Sequence, residues 1–453
     1  MNCMGDVLEC AAGTRVLLLN PPVADTAEAE DHGFLASVAP YGLLRLATWF
    51  RARGASVTLL DALSDAALGG KPRRHVRKRL RCGDDGQGPH EKDIWHFGLD
   101  DAELEARLRA IEPPDLIAIS SVFTWHVEAT RDTIALCRRV LPRAKIVLGG
   151  NFPTLCPDVA ATLGADEVFV GEVPGAEFAE TAVDLLPDGQ RNDWLRMVKG
   201  CPYHCSYCAT SVLSRGRVHA RSAESVFAEM QRKVRLYGTK NFVFLDDFAL
   251  FQQASHLDPL LDLLAQERLG ATIEFAFGIA GHMLDERLMR RMRDAGVERV
   301  YLALETLDPV RAKAMNRPQT HEQLARAVQI ARDFGYSGAG VRVFYLIGMP
   351  EQTMDEILRA VRWLYEIEVT PKLTSYTLTP GTGDMARLGH LVAGRALDEL
   401  APGLWRFAHA GMTVRDLDDV YRAFDERWEP LEKLLDGPAR EPMTLRLREV
   451  SAA

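Results

Sequence analysis

Short apolar runs rich in Val, Ile and Leu alternate with amphipathic stretches along the first part of the chain. Five runs have the length and composition of buried strands: RVLLLN (15–20), SVTLLDA (56–62), LIAISS (116–121), KIVLGG (145–150) and EVFVGE (167–172). Near-continuous apolar strands that alternate with helices indicate a parallel sheet covered by helices on both faces. Several runs end in Asn, Ser, Gly or Glu, and open α/β sheets bind ligands at that carboxyl edge. This pattern predicts a doubly wound, Rossmann-like α/β domain.

A second series of six strand-like runs follows: LRMVKG (195–200), FVFLDD (242–247), IEFAFGIA (273–280), RVYLALE (299–305), VRVFYLIG (341–348) and LTSYTL (373–378). Two of the amphipathic stretches between them end in the Gly expected after a helix. Six βα units are too few for a closed eight-fold barrel. The pattern therefore predicts a partial (β/α)6 TIM-type barrel, with its chemistry at the carboxyl ends of the strands.

These patterns divide the chain into four parts. We expect an N-terminal tail (1–14), a first domain (15–190) with a variable insertion at about 64–112, a barrel domain (191–385) and a small helical C-terminal capping region (386–453). The 453 residues are 47% hydrophobic and 26% charged, which is an ordinary globular composition and excludes disorder as the main state.

Charge and hydropathy narrow the classes of function. The net charge of −9 disfavours a general nucleic-acid binder, because such proteins are usually basic. No run approaches the roughly 18 apolar residues of a membrane span, and the N-terminus lacks the pattern of a secretory signal. We therefore expect a cytoplasmic protein without a membrane or nucleic-acid partner.

One basic segment, KPRRHVRKRLR (71–81), carries seven Lys or Arg residues. It has two interpretations. One is an electrostatic grip on a phosphate, a carboxylate or an acidic peptide. The other, which we favour, is a solvated helix within the insertion, since runs of charge are commonly solvated faces.

Three of the eight cysteines, Cys201, Cys205 and Cys208, lie within the loop KGCPYHCSYCAT directly after the first barrel strand. Three thiolates on one short loop can hold three irons of a cubane cluster and leave the fourth iron without a protein ligand. Structural zinc would need a fourth ligand, for which His204 is the nearby candidate. A CxxC redox pair would leave Cys201 unexplained. The open-site cluster is the favoured interpretation.

This CxxxCxxC motif, with an aromatic residue before the last Cys and a six-fold βα pattern around it, resembles the radical S-adenosylmethionine (SAM) superfamily over residues 194–385. The resemblance implies that the three cysteines carry a [4Fe-4S] cluster whose open iron takes the amino and carboxylate groups of SAM. An electron then cleaves SAM to a 5′-deoxyadenosyl radical, which abstracts a hydrogen from the substrate. The implied SAM contacts are Tyr207, Asp246, Asp247, Glu305, Arg342 and Gly348.

The resemblance implies a role for each of these residues, and some of them depart from the pattern of the superfamily. Tyr207 would lie beside the adenine, and the Asp246–Asp247 pair stands where many members have Gly-Gly-Glu. Glu305 would accept from the ribose hydroxyls or pair with Arg299 or Arg342, and Arg342 would meet the SAM carboxylate or point outward. The turn GMPEQT (348–353) resembles the fifth-strand pattern of the superfamily, with Glu351 in place of a Gly, and TPGTGD (379–384) matches its sixth-strand ending.

Residues 15–190 resemble the cobalamin-binding domain that precedes many radical SAM cores. The matching segments are LLLNPP (17–22), APYGLLRLATWFRARGASVTLLDA (39–62), IAISS (117–121), VLGGNFPTLCPD (147–158) and GADEVFVGE (164–172). The implied cobalamin contacts are Pro22, Ser120, Ser121, Gly149, Gly150, Asn151, Thr154, Gly171 and Glu172. Gly149 and Gly150 would let the backbone approach a ligand closely. A dinucleotide is disfavoured because no GxGxxG follows the first strand.

The ligand motif DxHxxG, which places a histidine on cobalt, is absent. Asp31-His32-Gly33 has the wrong spacing, so we expect His32 to be a loop residue; His126 is a less favoured alternative ligand. A lower face of the corrin without a protein ligand would resemble other members of the subfamily.

The two resemblances together imply a cobalamin-dependent enzyme similar to the class B radical SAM methyltransferases. We expect C-methylation of a substrate radical by methylcobalamin; the alternative is an oxidative cyclase or rearranging enzyme of the same type without methyl transfer. A non-catalytic sensor and a tRNA methylthiotransferase are disfavoured, because residues 386–453 show neither a helix-turn-helix nor a basic barrel. The expected partners are a small-molecule or peptide substrate and an electron donor such as flavodoxin or ferredoxin.

Overall fold

The fold was analysed in a computed structural model of the chain. The structure describes residues 12–25, 40–63, 74–84, 89–186 and 192–401. The first eleven residues of the expected N-terminal tail, His32 and the part of the capping region beyond residue 401 lie outside the described residues.

The first domain contains eight strands in its described residues. In chain order they are β1 (Arg15–Asn20), β2 (Val23–Asp25), β3 (Ser56–Asp61), β4 (Arg74–Asp84), β5 (Pro89–Phe97), β6 (Leu116–Ser120), β7 (Lys145–Gly149) and β8 (Glu167–Val168). The helices are α1 (Tyr41–Arg51), α2 (Asp101–Ala110), α3 (Val127–Val140), α4 (Asn151–Leu155) and α5 (Pro157–Ala160). The main sheet is parallel, in the spatial order β3-β1-β6-β7-β8.

Strand β1 shows how helices cover both faces of this sheet. Leu17 and Leu19 belong to a buried cluster that includes Leu104 of α2. Leu18 belongs to a second buried cluster with Phe50 of α1. A strand segment buried on both faces needs apolar residues at every position, which explains the unbroken run VLLL (16–19). The predicted doubly wound sheet is confirmed.

Strands β4 and β5 of the insertion form a small antiparallel sheet together with β2, in the order β2-β5-β4. The helix expected over residues 71–81 is therefore wrong, because β4 begins at Arg74. Two contacts favour the extended form. Strand β5 supplies apolar partners for β4, such as the buried Ile94. In addition, Arg77 and Lys78 form ion pairs with Asp132 and Glu128 of α3.

The second domain contains the strands β9 (Asn192–Leu195), β10 (Val198–Lys199), β11 (His219–Ala220), β12 (Asn241–Phe244), β13 (Thr272–Phe275), β14 (Val297–Glu305), β15 (Gly338–Ile347) and β16 (Val369–Ser375). Its helices are α6 (Thr210–Leu213), α7 (Ala223–Tyr237), α8 (Leu257–Glu267), α9 (Glu286–Asp294), α10 (Pro309–Ala314), α11 (His321–Asp333), α12 (Met354–Glu366) and α13 (Gly383–Leu388). Six of the strands form a parallel sheet in the order β16-β15-β14-β13-β12-β9, which confirms the partial barrel.

Helices cover one face of this six-stranded sheet. Val341, Val343 and Tyr345 of β15 lie in the large cluster formed with the helices, as does Leu302 of β14. Because successive side chains of a strand point to opposite faces, their neighbours point away from the helices. We call that side the inner face, and its residues on β13 to β16 include Glu274, Arg299, Tyr301, Arg342, Phe344 and Lys372.

The described start of the capping region packs over the carboxyl edge of the barrel. Leu388 and Leu397 contact a cluster that contains Tyr376 and Leu378. The Thr377 hydroxyl donates to the carbonyl of Leu400 at 2.6 Å. The short 3-10 helix Leu397–Leu400 also contacts the 3-10 helix Thr124–His126 of the first domain. Among the described residues, no helix has the length and apolar content that crossing a bilayer requires.

Candidate cofactor sites

The three-cysteine loop leaves β10 and is held by backbone contacts on both sides. Gly200, which precedes it, has a φ of +88°, and a Cβ there would lie 2.0 Å from the carbonyl oxygen of Arg217. The amide of Ser206 donates to Met315 at 3.0 Å, and its carbonyl accepts from the amide of Asp384 at 2.8 Å. The predicted sixth-strand ending TPGTGD therefore packs directly on the loop.

The thiols of this loop influence one another electrostatically. Burial, followed by the proximity of Cys208 and Cys205, raises the pKa of Cys201 to about 11. Burial also raises the pKa of Cys208, although its thiol contacts the Thr210 hydroxyl at 3.3 Å. Thiols in such a setting become thiolates when a metal neutralises them. Three thiolates on one loop suit an iron–sulfur cluster with an open iron, so the residues fit that group.

The zinc alternative finds no support in the arrangement. His204, the nearby candidate for a fourth ligand, is exposed, whereas Cys201, Cys205 and Cys208 are each half-buried. A tetrahedral zinc would need its ligands within about 2.0–2.3 Å of one centre. The described residues therefore do not supply a closed zinc site.

Tyr207, within the cysteine loop, lies next to Glu305 at the end of β14. The Tyr207 hydroxyl lies beside the Glu305 carboxylate, and burial raises the pKa of both groups. The cation beside Glu305 is Arg317, with Nη2 3.9 Å from Oε1. Of the two arginines considered as alternative partners of Glu305, Arg299 pairs instead with Glu274 at 3.1 Å. The role of Glu305 toward the ribose hydroxyls stays a prediction.

Arg317 is a site residue that sequence reasoning missed. Its Nη1 lies 4.0 Å from the sulfur of Cys205, and its Nη2 donates to the carbonyl of Ala303 at 2.7 Å. It therefore joins the end of β14 to the cysteine loop. Nothing in the local sequence MNRPQ marks it, because its partners come from two distant segments.

The two carboxylates after β12 have different surroundings. Oδ1 of Asp246 accepts from the amides of Met197 and Val198 at 2.7 and 2.9 Å, and its Oδ2 has no hydrogen-bond partner. Burial raises the pKa of Asp246 to about 7. Asp247 accepts from the amide of Gly200 at 2.7 Å and lines the cavity described below. Asp247 is thus the member of the pair that faces open space.

The remaining predicted SAM contacts lie on β15. Arg342 is half-buried on the inner face, with its guanidinium carbon 5.9 Å from the centre of the Tyr301 ring, so the outward alternative is wrong. Gly348 directly follows the strand with a φ of +80°, and its amide donates to the side-chain oxygen of Gln352 at 2.8 Å. Glu351 has a φ of +62°, a left-handed conformation that explains why a Gly suits this position in the superfamily.

A cavity of about 510 Å³ opens between the two domains at the carboxyl edges of their sheets. Eight of the nine predicted cobalamin contacts line it, namely Ser120, Ser121, Gly149, Gly150, Asn151, Thr154, Gly171 and Glu172. Pro22 is not part of the lining, whereas its neighbour Pro21 is. The second domain contributes Trp194, Arg196, Lys199, Asp247 and Phe277, among others.

The glycine pair of β7 shapes the wall of this cavity. A Cβ on Gly150, whose φ is +111°, would lie 2.4 Å from the carbonyl oxygen of Ser121, so this position requires glycine. A Cβ on Gly149 would meet only Phe169 at 3.8 Å, so the missing side chain leaves room on the cavity side. Such a flat backbone edge fits a large planar ligand like a corrin.

His126 also lines the cavity and is buried. Its Nε2 lies 3.5 Å from Oδ2 of Asp25, which also accepts from Trp125 at 3.1 Å. Its role as an alternative cobalt ligand stays a prediction.

Glu172 connects the two domains. Its Oε1 lies 2.6 Å from Nζ of Lys199 and 3.2 Å from Nη2 of Arg45. Burial alone would raise the pKa of Glu172, but these two cations hold it below its usual range. Burial lowers the pKa of Lys199. Arg45 and Lys199 were not predicted, although Lys199 stands only two residues before Cys201 in KGC.

The fold and the two sites define a two-domain protein with a cobalamin-type α/β domain and a cluster-bearing partial barrel that share one cavity. Residues 195–364 match the family model of the radical SAM superfamily, and residues 87–179 match that of the B12 binding domain. The chain thus combines a B12 binding domain with a radical SAM domain, which is the domain composition of a cobalamin-dependent radical SAM enzyme. The cofactors of these two domains are a [4Fe-4S] cluster, SAM and cobalamin.

Several known proteins are similar to this chain in sequence or in fold. An uncharacterized methyltransferase of Pyrococcus horikoshii is 26% identical over 206 residues, and this chain spans 44% of its length. Cytidylyl-2-hydroxyethylphosphonate methyltransferase of Streptomyces wedmorensis is 22% identical over 74% of this chain and 73% of its own. The solved radical SAM methyltransferase TsrM of Kitasatospora setae, with cobalamin and a [4Fe-4S] cluster bound, has a similar fold at 17% identity. Its TM-score is 0.62, with 84% of this chain and 79% of TsrM covered.

Proposed function

We propose that this protein is a cobalamin-dependent radical SAM C-methyltransferase. The observation that carries the proposal is the single cavity lined by both domains. On one side lie Gly149 and Gly150 at the edge of the first sheet, and on the other lie Lys199 and Asp247 beside the cysteine loop. A methyl group can pass between two cofactors only if both reach a common space with the substrate, and this cavity provides one.

The relatives support methyl transfer as the reaction. The Pyrococcus and Streptomyces proteins both carry methyltransferase names, and the Streptomyces match extends over both domains. When bound, the cluster with SAM supplies a 5′-deoxyadenosyl radical, and cobalamin supplies a methyl group for the substrate carbon.

The residues of the chain bind and orient these groups. The three thiols hold the cluster, and we assign Asp247 and Glu305 as acceptors for the polar groups of SAM. Arg317 fixes Glu305 relative to the cysteine loop through its contacts with both. The ion pairs of Glu172 hold the cobalamin edge against the strand that leads to Cys201.

Anaerobic reconstitution with iron, sulfide and hydroxocobalamin tests the proposal. The wild-type protein should hold about four irons, four sulfides and one corrinoid, and should cleave SAM reductively. A Cys201/Cys205/Cys208→Ala triple variant should lose the cluster and the cleavage. A Cys137→Ala/Cys156→Ala double variant, which removes two buried free thiols of the first domain, is the matched control and should retain both.

The products of SAM distinguish methyl transfer from the alternatives. A methyltransferase should form both S-adenosylhomocysteine and 5′-deoxyadenosine, measured by mass spectrometry. 5′-Deoxyadenosine without S-adenosylhomocysteine would instead indicate an oxidative cyclase or rearranging enzyme. SAM cleavage that survives in the triple variant would contradict the cluster assignment itself.

The proposal needs an electron donor, and a flavodoxin or ferredoxin is the expected one. Reduced flavodoxin should replace a chemical reductant in the SAM cleavage assay. The cytoplasmic location and the small-molecule or peptide nature of the substrate stay predictions.

A further inference from the structure

Three cations surround one carboxylate in the wall of the cavity between the domains. Arg45 lies on α1, Arg196 directly follows β9, and Lys199 lies on β10; all three line the cavity together with Glu172. Lys199 and Arg45 form ion pairs with Glu172 at 2.6 and 3.2 Å. Although burial would raise the pKa of Glu172, the three cations together hold it below its usual range, so all of them lie close to it.

Arg196 differs from the other two cations because it has hydrogen-bond donors to spare. Its Nε donates to the carbonyl of Leu245 at 3.1 Å, and its guanidinium carbon lies 5.6 Å from the centre of the Tyr41 ring. Within the part of the chain that the structure describes, neither Nη group has an acceptor, and the side chain is half-buried. Asp246 interacts with Arg196 only through space, since Oδ2 of Asp246 has no hydrogen-bond partner.

The charges of this group are unbalanced. Burial lowers the pKa of Lys199, and the positive charges of Arg196 and Arg45 lower it further. Three cations with one shared carboxylate therefore repel one another, and an anion bound at Arg196 would offset that repulsion. An arginine with both Nη groups available binds a carboxylate or a phosphate through two parallel hydrogen bonds.

An apolar contact for the same ligand lies across the carboxyl edge of the barrel. Phe277 follows β13, lines the cavity and is 52% exposed. Strand β12 is the one strand between β13 and β9, so the chain positions that carry Phe277 and Arg196 are about 10 Å apart. A small molecule with a ring and an anionic group can reach both. Asp247, which follows β12, places such a molecule beside the SAM site.

We propose that Arg196 binds the anionic group, a carboxylate or a phosphate, of a substrate whose apolar part lies against Phe277. This deepens the proposed function, on which it rests, by naming the substrate class. Arg196 is the specificity-determining residue. It stands five positions before Cys201, between the cobalamin edge and the cluster loop, which is where a substrate has to lie for methyl transfer.

Three small probes test this subsite without catalysis. Benzoate and phenyl phosphate carry an anion on a ring, and benzamide is the neutral counterpart. Their affinities for the full-length protein, reconstituted with cluster and cobalamin and saturated with SAM, are measured by ligand-observed NMR without a reductant. At least one of the two anions should bind about tenfold tighter than benzamide, as expected for a charge-assisted hydrogen bond. Equal affinities, or no binding of either anion, would overturn the proposal.

Three variants separate this interaction from general effects. Arg196→Met should abolish the preference for the anion, and Arg196→Lys, which keeps the charge, should retain it in part. Arg143→Met, at an exposed position before β7 and outside the cavity lining, is the matched control and should leave the preference unchanged. A preference that survives in Arg196→Met, or one that is lost equally in Arg143→Met, would contradict the assignment to Arg196.

The phosphate of cobalamin and the carboxylate of SAM are two other sources of the same chemistry. Cobinamide lacks the phosphate, so the affinities for cobalamin, cobinamide and SAM are compared by equilibrium dialysis. All three should be the same in Arg196→Met as in the wild type. A loss of affinity for cobalamin but not for cobinamide would assign Arg196 to the phosphate of the cofactor, and a loss of SAM affinity would assign it to SAM; either would refute a substrate subsite. Since none of these measurements requires turnover, the subsite can fail while SAM cleavage and methyl transfer stand, and the reverse.

Discussion

Replacing Lys233 by methionine removes the central cation of a buried ion network below the cysteine loop. Nζ of Lys233 lies 2.6 Å from Oδ2 of Asp193 on β9 and 2.8 Å from Oε1 of Glu229 on α7. Glu229 is also paired with Arg221 at 2.6 Å, and Lys233 donates to Thr181, in the segment before β9. The network thus ties the first barrel strand to α7 and to the connection between the domains.

The expected magnitude follows from the burial of the network. The side chains of Lys233, Asp193 and Glu229 are each less than 5% exposed. Methionine has nearly the volume of lysine, so the main effect is a buried carboxylate without its cation. Breaking a buried pair in this way costs about 3–5 kcal/mol. For a domain of this size, 1 kcal/mol corresponds to about 2–4 °C in Tm, so we expect a fall of about 10 °C.

The measurement is thermal unfolding followed by circular dichroism. Lys145→Met is the control, since Lys145 and Glu167 form a pair at 2.9 Å that is about 40% exposed, and it should cost less than about 1 kcal/mol. Asp193→Asn added to Lys233→Met removes the unpaired charge and should restore part of the loss. If Lys233→Met melts within 2 °C of the Lys145→Met control, the reasoning about burial is refuted.

Three further changes test other features. Glu351→Gly removes the strain of the left-handed backbone and should raise the free energy of unfolding by about 1 kcal/mol, measured by urea unfolding. The control Arg359→Gly, within α12, should lower it by a similar amount. Equal effects of the two substitutions would contradict the argument from backbone strain. Because burial raises the pKa of Asp246 from 3.8 to about 7, the folded state binds the extra proton, so stability should fall as pH rises across that interval. Asp246→Asn should remove this fall in stability. A fall that persists in the variant would show that Asp246 is not the group that titrates. Lys78→Met breaks the ion pairs with Glu128 and Asp398 and should therefore speed amide hydrogen exchange in residues 397–400. Unchanged exchange would show that these ion pairs do not hold the 3-10 helix Leu397–Leu400 in place.

The two sheets were predictable because their strands are parallel and buried. The four central residues of RVLLLN are all apolar and buried, as a strand covered on both faces requires. The order of the strands in the second sheet also follows the chain, because each βα unit places its strand beside the preceding one. Local pattern and simple connection rules were therefore sufficient for the architecture.

The basic segment was mispredicted because its conformation depends on a distant partner. The residues around Lys78 carry charge on both faces, a pattern that local reasoning assigns to a solvated helix. In the structure, the register with β5 and the ion pairs with Glu128 and Asp398 determine an extended strand. Within the described part of the segment, Arg77, Lys78 and Arg79 pair with carboxylates of the same chain.

In the candidate sites too, some features follow from local sequence and others depend on distant partners. The cysteine spacing and the glycine pair Gly149–Gly150 are local signals, and the sequence alone indicated both. The contacts of Glu305 are not local: Tyr207 comes from the cysteine loop, and Arg317 comes from the segment after α10. A partner set that is brought together by three separate segments leaves no spacing for a sequence pattern to detect.

Glu172 was predicted as a cobalamin contact, and the structure also gives it ion pairs that the sequence did not indicate. It follows Gly171 at the edge of the first sheet, in line with the other predicted cobalamin contacts, and it does line the cavity. Its carboxylate, however, is engaged by Arg45 of its own domain and by Lys199 of the barrel. Lys199 is joined through Gly200 to the first cluster ligand, so the ion pair fixes the distance between the cobalamin edge and the cysteine loop. Under the proposed function, methyl transfer depends on that distance, so Glu172 acts on the reaction through the two ion pairs that set it.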